Sequence, residues 1–312
     1  MKKTIDFYGK RNIFFILSAA VIVIGIVINL FVGTRLDIQF AGGAVIKYNF
    51  AADIASNEIE KIVEDVSGRN ATVQINEAYG TSDGQKQATV SFAGNESLTL
   101  EEQTAIADAL DEAFAETPFT VAESSSVDPM MGATFFEKCM ICVAITFVLL
   151  LIYIAIRFRK IGGFSAGVCA LIALAHDVLI SYLVFVIFGF AINDSFIAVI
   201  LTILGYSLND TIVLYDRIRE NRRLLGNKTD YPTLVNLSLN QTLFRSVATS
   251  VTTFVAICCV FVVALIYQLN SVMTFALPMM VGVVVGCYSS LFIAGPLFSM
   301  WQNHKHPVVS EK

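Results

Sequence analysis

The sequence has few of the residues on which metal sites and nucleotide hydrolases depend. Only 3 of its 312 residues are histidine, no H-E-x-x-H motif occurs, and no Cys/His cluster has zinc-site spacing. A G-x-x-x-x-G-K-[ST] loop is also missing, because the nearest stretch, "LLGNKTD", does not pair Gly with Lys as the motif requires. These absences predict that the chain is not an enzyme, hydrolyses no nucleotide and carries no cofactor.

The distribution of cysteine and the low content of charged residues restrict the class of protein. All six cysteines lie in long apolar stretches and none lies in residues 33–134, so no disulfide framework is predicted for that region. Charged residues make up only 15% of the chain, whereas 55% is hydrophobic. This composition is too apolar for an ordinary soluble domain and is typical of an integral membrane protein.

Six apolar blocks are each close to the roughly 20 residues that cross a bilayer. They are Ile13–Val32, Cys139–Ile156, Ile161–Phe188, Phe196–Tyr215, Ser246–Tyr267 and Val272–Trp301. The first block exceeds a secretory h-region and has no convincing cleavage site behind it, which predicts an uncleaved signal anchor. The layout is therefore one helix, a long loop and a five-helix block. Close helix contacts are predicted at Gly163 with Gly167, and at Gly282 with Gly286 and Ser290.

The charges predict the orientation of the chain. Residues 33–134 hold five Lys and Arg against seventeen Asp and Glu, a net charge of −12, whereas "RFRK" and "DRIRENRRLLGNK" are cationic. The positive-inside tendency then predicts a multi-pass protein of the cytoplasmic (inner) membrane with both termini in the cytoplasm. The acidic outside region argues against binding of nucleic acid. The predicted divisions are a cytoplasmic tail 1–12, a helix 13–32, an extracytoplasmic domain 33–134, a five-helix block 135–301 and a cytoplasmic tail 302–312.

The outside region has the pattern of a small α+β domain. Strands are predicted in "DIQFAGGAVIKYNF", "ATVQINEAY", "KQATVSFAG" and "FTVAESSSV", and helices in "SNEIEKIVEDVSG" and "TLEEQTAIADALDEAFAE". Ser56 and Thr99 are the predicted N-caps, and Glu102 completes a capping box with Thr99. The order βαββαβ predicts a ferredoxin-like fold.

Asp210 is the first candidate functional residue, because an ionisable group inside a span is costly and usually faces a bundle interior or a wet path. It follows Asn209 and lies about 9 Å inside the interfacial Asp216, at about 1.5 Å of rise per residue. Tyr206 and Ser207 share its face at i−4 and i−3. The sequence therefore predicts a polar stripe on an otherwise apolar helix.

Two further ionisable residues accompany Asp210. Arg245, with Thr249 on its face, is expected just inside the next span at a depth comparable to Asp210. The two form either a static ion pair between helices or a relay in which Asp210 takes and releases a proton while Arg245 tunes its pKa. Asp177, in "LAHDVLIS", is either a hydrogen-bonded tether to another helix or a relay member. His176 beside it could join a relay, but adjacent residues on a helix are expected to point in different directions.

Several stretches resemble a known family. "LTILGYSLNDTIVLYDRIREN", "LNQTLFRSVATSVTTF", "AHDVLIS" and "VGVVVGCYSSLFIAGPL" resemble SecF, the smaller SecDF subunit that accompanies the bacterial Sec translocon. The resemblance runs from about residue 5 to residue 300 and departs from the usual "DFTGG"-like pattern at Ala41, which stands in the threonine place.

The resemblance implies an assembly and a function. SecF-like chains form half of a twelve-helix assembly similar to resistance-nodulation-division transporters, and a SecD-like subunit forms the other half. The implied partners are that subunit, a SecYEG-like channel, exported unfolded polypeptides and membrane lipid. The implied energy source is the proton gradient, used in late steps of protein export. Asp210 and Arg245 fall where the family carries its acidic and basic relay residues.

Two other classes of function are weighed against this one. A half-size exporter of the resistance-nodulation-division type would act on small molecules or lipids, but such exporters usually carry both halves and two large outside domains on one chain. An intramembrane aspartyl protease would use Asp177 and Asp210. It would need a G-x-G-D-like setting, which "AHDV" and "SLND" do not supply.

Overall fold

The computed structural model describes residues 5–52, 54–77, 86–93, 98–114, 117–127, 129–226, 229–267 and 269–305. In chain order its α-helices are α1 (Arg11–Val32), α2 (Ile38–Ala41), α3 (Ser56–Ser67), α4 (Leu100–Ala113), α5 (Pro129–Arg157), α6 (Gly163–Ile187), α7 (Asp194–Leu225), α8 (Tyr231–Ile266), α9 (Asn270–Ser289) and α10 (Gly295–Lys305). A π-helical segment, Ser290–Ala294, joins α9 to α10. In the described part of the chain, six helical units are long and apolar enough to cross a membrane: α1, α5, α6, α7, α8 and the α9–α10 unit. The six predicted apolar helices are confirmed.

Helix α8 begins at Tyr231, well before the apolar block that starts at Ser246. The Asp230 side chain caps it by accepting a hydrogen bond from the Thr233 backbone N–H at 3.0 Å. Hydropathy cannot detect this first part of the helix, because it carries polar side chains that pack against protein. Arg245 therefore lies in the middle of a long helix, not at the start of one. Similarly, α5 begins at Pro129, ahead of the expected start of the five-helix block at residue 135.

The loop between α1 and α5 contains a four-stranded antiparallel sheet. Its strands are β1 (Gly43–Phe50), β2 (Ala71–Glu77), β3 (Lys86–Ala93) and β4 (Thr120–Val127), in the order β2-β3-β1-β4. Central β1 pairs with both β3 and β4, so that Ile46 lies opposite Val90 and Ser124. Along the chain the elements alternate as strand, helix, strand, strand, helix, strand. A separate hydrophobic core joins the sheet to α3 and α4.

The two predicted helix caps of this region have different outcomes. At α4 the capping box is confirmed: Thr99 Oγ1 accepts from the Glu102 N–H at 3.3 Å, and Glu102 Oε2 accepts from the Thr99 N–H at 2.8 Å. At α3 the prediction is wrong, because Ser56 is the first helical residue and the N-cap is Ala55, which makes no side-chain bond.

The membrane helices form an inner and an outer set. Each of these helices has a most apolar stretch, and the share of its residues buried inside the protein differs. The share is 56% in α6, 56% in α7 and 61% in the α9–α10 unit, but only 11% in each of α1, α5 and α8. Glycines allow the inner helices to approach, as predicted. A Cβ added at Gly286 of α9 would lie 3.0 Å from the Ser207 Cβ of α7, and one at Gly282 would collide with Ile203.

The first described residues bind to α8. Asn240 accepts from the Ile5 N–H at 2.9 Å and donates to the Ile5 carbonyl at 2.8 Å. One turn earlier, Asn236 Oδ1 accepts from the N–H groups of Phe7 and Tyr8 at 3.1 and 2.9 Å. The Phe7 side chain is fully buried. We call residues 5–9 the N-terminal strap, and it holds one end of α8 against the bundle.

Candidate functional site

Asp210 lies inside the bundle on α7 with only 4% of its surface exposed. Its Oδ2 atom is buried, and no described residue offers it a hydrogen-bond partner. Two polar groups of α8 interact with the carboxyl. The Ser246 hydroxyl does so by hydrogen bonding, and the Arg245 guanidinium does so by electrostatic attraction. A buried carboxyl with an unused oxygen is costly, and such a group calls for a functional explanation.

Arg245 is exposed on α8, and among the ion pairs of the described residues none includes it. The static Asp210–Arg245 ion pair is therefore not formed in this structure. Thr249 is also exposed, and its hydroxyl donates to carbonyls of its own helix, those of Arg245 and Ser246. Neither side chain ties α8 to α7 in the way that a static bridge would require.

A cleft of about 1410 Å³ opens between the C-terminal end of α5, the C-terminal half of α7 and the middle of α8. Asn209 and Arg245 line it at the level of Asp210, together with Gln241 and Thr242 of α8. We call it the basic cleft: its cationic lining residues are Arg157, Arg159, Lys160, Arg217, Arg219, Arg222, Arg223 and Arg245, and its acidic ones are Asp216 and Glu220. Water entering this cleft reaches the immediate neighbours of Asp210.

The hydroxyls of Tyr206 and Ser207 point to different helices. Tyr206 donates to Ser250 Oγ of α8 at 3.0 Å, whereas Ser207 donates to Asp177 Oδ2 of α6 at 2.6 Å. Residues i−4 and i−3 lie on either side of Asp210, about 100° apart on a helix of 3.6 residues per turn. The predicted stripe is thus divided between a contact to α8 and a contact to α6.

Asp177 has no exposed surface and is held by three neighbours. Its Oδ2 accepts from Ser207 and from Ser289 of α9, the latter at 2.7 Å, and its Oδ1 lies 3.1 Å from His176 Nδ1. The other ring nitrogen of His176 is buried without a partner in the described part of the chain. Of the two alternatives for Asp177, this geometry fits the tether.

Sequence reasoning missed three hydroxyl residues at the site, Ser246, Ser250 and Ser289, and predicted Ser290 only as part of a helix-packing face. Ser246 and Ser250 continue a buried stripe on α8 that begins at Ser238 and Thr242, with a spacing of four residues. That periodicity was the available signal. Ser289 and Ser290 follow the glycine-lined face of α9, but their contacts depend on which helices lie beside it. Among the described residues, no group of His, Cys, Asp and Glu side chains could hold a metal ion.

Known proteins resemble this chain over most of its length. The profile of the family "Protein export membrane protein SecD/SecF, C-terminal" matches residues 106–304. The protein translocase subunit SecF of Petrotoga mobilis is 36% identical over 297 residues, covering 94% of each chain. The SecDF of Bacillus subtilis is 32% identical over 96% of this chain and 38% of its own length.

The likeness extends to solved structures. The crystal structure of SecDF from Thermus thermophilus, described as a translocon-associated membrane protein, matches 97% of this chain at 30% identity with a TM-score of 0.78. The super-membrane-facing form of SecDF matches 98% with a TM-score of 0.65. This chain spans only about 40% of the length of those SecDF chains.

Six apolar helical units with carboxyl groups buried between them define a multi-pass membrane protein. Within that class, the family profile and the relatives covering nearly the whole chain decide the assignment. The chain belongs to the SecD/SecF family of protein-export membrane proteins, and within it to SecF.

Proposed function

We propose that the chain is the SecF-type subunit of an accessory complex of the Sec translocase, and that it couples the proton gradient to late steps of protein export. The observation that carries the coupling is the Asp210 carboxyl, buried with a free oxygen beside residues that line the basic cleft. A carboxyl in this position can accept a proton without first breaking an ion pair.

Arg245 is the proposed second member of the relay. A cation close to a carboxyl favours its ionised form, whereas withdrawal of the cation favours protonation. Because Arg245 is on α8 and Asp210 is on α7, any movement between these helices changes the distance between the two charges. Proton uptake and release at Asp210 are thereby coupled to the position of α8. Asn209, Tyr206 and Thr249 complete the proposed polar surroundings.

A SecD-like subunit is the proposed partner, and it covers the face of α7 and α8. Arg245 lines the basic cleft, and a charged side chain that faces lipid costs about 2.5 kcal/mol or more, so a protein partner that separates the cleft from lipid would stabilise this face. The weak burial of α8 leaves surface for such a partner. The relatives named SecDF, of which this chain matches about two fifths, favour a second half of similar kind. A SecYEG-like channel, unfolded exported polypeptides and surrounding lipid are the remaining proposed partners.

The proposed orientation places the sheet outside the cytoplasmic membrane and both termini inside, in the one-plus-five layout. The sheet domain is proposed to be ferredoxin-like, which the strand order β2-β3-β1-β4 supports. An impermeant thiol reagent applied from outside should label Glu58→Cys on α3 but not Thr233→Cys at the start of α8, in a chain without its native cysteines. If only Thr233→Cys is labelled, the orientation is the reverse of the proposed one.

The test of the coupling is export into membrane vesicles with and without a proton gradient. Asp210→Asn keeps the size and hydrogen bonding of the side chain but cannot titrate, so it should assemble with the SecD-like partner and lose the gradient-dependent part of export. Arg245→Met should also stall the cycle. Asp194→Asn, the same change in the exposed first turn of α7, is the matched control. An Asp210→Asn chain that assembles and keeps full gradient stimulation removes Asp210 from the mechanism.

A further inference from the structure

The Asp177 carboxyl joins α6 to α7 and α9, and its partner on α7 lies three residues before Asp210. One oxygen, Oδ2, accepts hydrogen bonds from Ser207 of α7 and Ser289 of α9 at 2.6 and 2.7 Å. Asp177 does not line the basic cleft in the described structure, and its side chain is fully enclosed. Its contacts therefore link helices together, and no cleft lined by the described residues connects its carboxyl to water.

A second set of contacts holds the same turn of α7. The Ser207 carbonyl accepts from Ser290 Oγ at 3.1 Å and from Thr211 Oγ1 at 3.4 Å, and the hydroxyls of Ser290 and Thr211 lie 2.9 Å apart. Ser290 opens the π-helical segment, a local widening often found at functional sites. Gly286 leaves room for this approach. The turn from Ser207 to Thr211, which contains Asp210, is thus fixed on the side of α6 and α9.

We propose that Asp177 is a positioning residue: it holds Ser207, and through it the turn of α7 that points Asp210 towards α8. This inference rests on the proposed relay function of Asp210. What the site requires of residue 177 is an acceptor oxygen for two buried hydroxyls, because each hydroxyl left without a partner destabilises this arrangement of the helices. A titrating charge is not required.

This requirement separates two variants of similar size. Asp177→Asn keeps an oxygen with two lone pairs for Ser207 and Ser289, and its amide can donate to His176 Nδ1. Asp177→Leu fills the space but accepts no hydrogen bond. A positioning role therefore predicts that asparagine rescues what leucine loses, whereas a proton-carrying role predicts that both fail.

The orientation of the α7 turn is measured directly by labelling. In a full-length chain without native cysteines, Asn209→Cys is exposed in the basic cleft and reacts with an impermeant maleimide at a measurable rate. Adding Asp177→Leu should change that rate by about tenfold or more, since buried hydroxyls without partners favour rotation of the turn. Adding Asp177→Asn should leave it within about twofold. Chains with the native Asn209 are assayed for gradient-dependent export in parallel.

The outcomes are distinct. An unchanged labelling rate and retained export in Asp177→Asn, with a changed labelling rate and loss of export in Asp177→Leu, support positioning. Loss of export in Asp177→Asn at an unchanged labelling rate shows that Asp177 itself carries protons and overturns the proposal. An Asp177→Leu chain unchanged in both assays also overturns it. If that chain does not accumulate, the double variant Ser207→Ala/Ser289→Ala removes the same bonds and should change the labelling rate alike; unchanged labelling there contradicts positioning. The relay hypothesis itself is tested separately: it is wrong if the Asp210→Asn chain keeps full stimulation of export by the proton gradient.

Discussion

The two sides of α7 are built differently. On the closed side, which faces α6 and α9, Ser207 and Thr211 have hydrogen-bond partners on those helices and glycines bring the backbones together. On the open side, Gly205 and Asn209 are exposed, and a Cβ added at Gly205 would meet no atom of the described residues within 4 Å. Asp210 lies between the two. One helix thus combines a fixed reference surface with a face left free for water or a partner, which suits a group whose charge must be linked to movement.

Gly286→Leu should have the largest effect, because it wedges the closed side apart. Its first added carbon would already lie 3.0 Å from the Ser207 Cβ, so the larger leucine side chain should force the two helices apart. Overpacking of this kind costs about 3 kcal/mol in the free energy of unfolding. The measurement is thermal unfolding of the purified chain in detergent. An unfolding curve that matches the parent chain would show that the closed side is not tightly packed.

Gly205→Leu is the matched change on the open side. With no neighbour to displace and a better helix former in place, the stability of the isolated chain should stay the same or rise by up to about 1 kcal/mol. Recovery of the SecD-like subunit in a pull-down should fall, since the added side chain projects from the face proposed for that partner. Unchanged recovery at unchanged stability would place the partner elsewhere.

The sequence predicts the closed side better than the open one. The spacing of Gly282 and Gly286 is enough to predict a close helix contact, and a buried Asp177 needs donors from its neighbours. Periodicity cannot show which helix stands on each side of α7. It therefore predicts one polar stripe for Tyr206 and Ser207, although their partners lie on α8 and α6.

Helix ends show the same limit of sequence reasoning. Hydropathy reports where a helix can face lipid. The first turns of α8 instead face protein and the N-terminal strap, so the apolar block starts later than the helix. Contacts between distant segments, such as Asn240 with Ile5, have no local signal in the sequence.

The N-terminal strap tests whether α8 is anchored at one end only. Asn236→Ala removes the acceptor for two strap N–H groups and the donor to Asp6 Oδ1, so the strap should loosen by about 1 to 2 kcal/mol. Amide hydrogen exchange at Phe7 and Tyr8 should accelerate, while exchange in α9 stays the same. Equal acceleration in α9 would mean that the strap stabilises the whole bundle and not one end of α8.

Acidification should act on the same strap through Asp6. Hydrogen bonds from the Gly9 N–H and Asn236 lower the pKa of Asp6 below its ordinary 3.8. A carboxyl with a lowered folded-state pKa contributes stability that is complete above its ordinary value and is lost as the pH falls through the lowered one. The protection of the Phe7 amide against exchange should therefore not depend on Asp6 from neutral pH down to about 5. It should decrease only in stronger acid. Asp6→Asn should abolish that step, and a step near neutral pH would contradict the assignment.

The smallest effect is expected far from both sides of α7, at the Lys47–Glu123 pair that crosses from β1 to β4 with an Nζ–Oε2 distance of 2.5 Å. Both side chains are partly exposed, at 35% and 58%, so solvent screens the pair and Glu123→Gln should cost about 0.5 kcal/mol or less. Because the sheet has its own hydrophobic core, this change should not alter the maleimide labelling of Asn209→Cys. A double-mutant cycle with Lys47→Met isolates the pair energy from other effects of each substitution. A coupling energy above about 2 kcal/mol would show that the pair is stronger than an exposed ion pair should be. Altered labelling at position 209 would show that the sheet and the bundle act as one unit, so that the contrast between the two sides of α7 is not confined to the membrane helices.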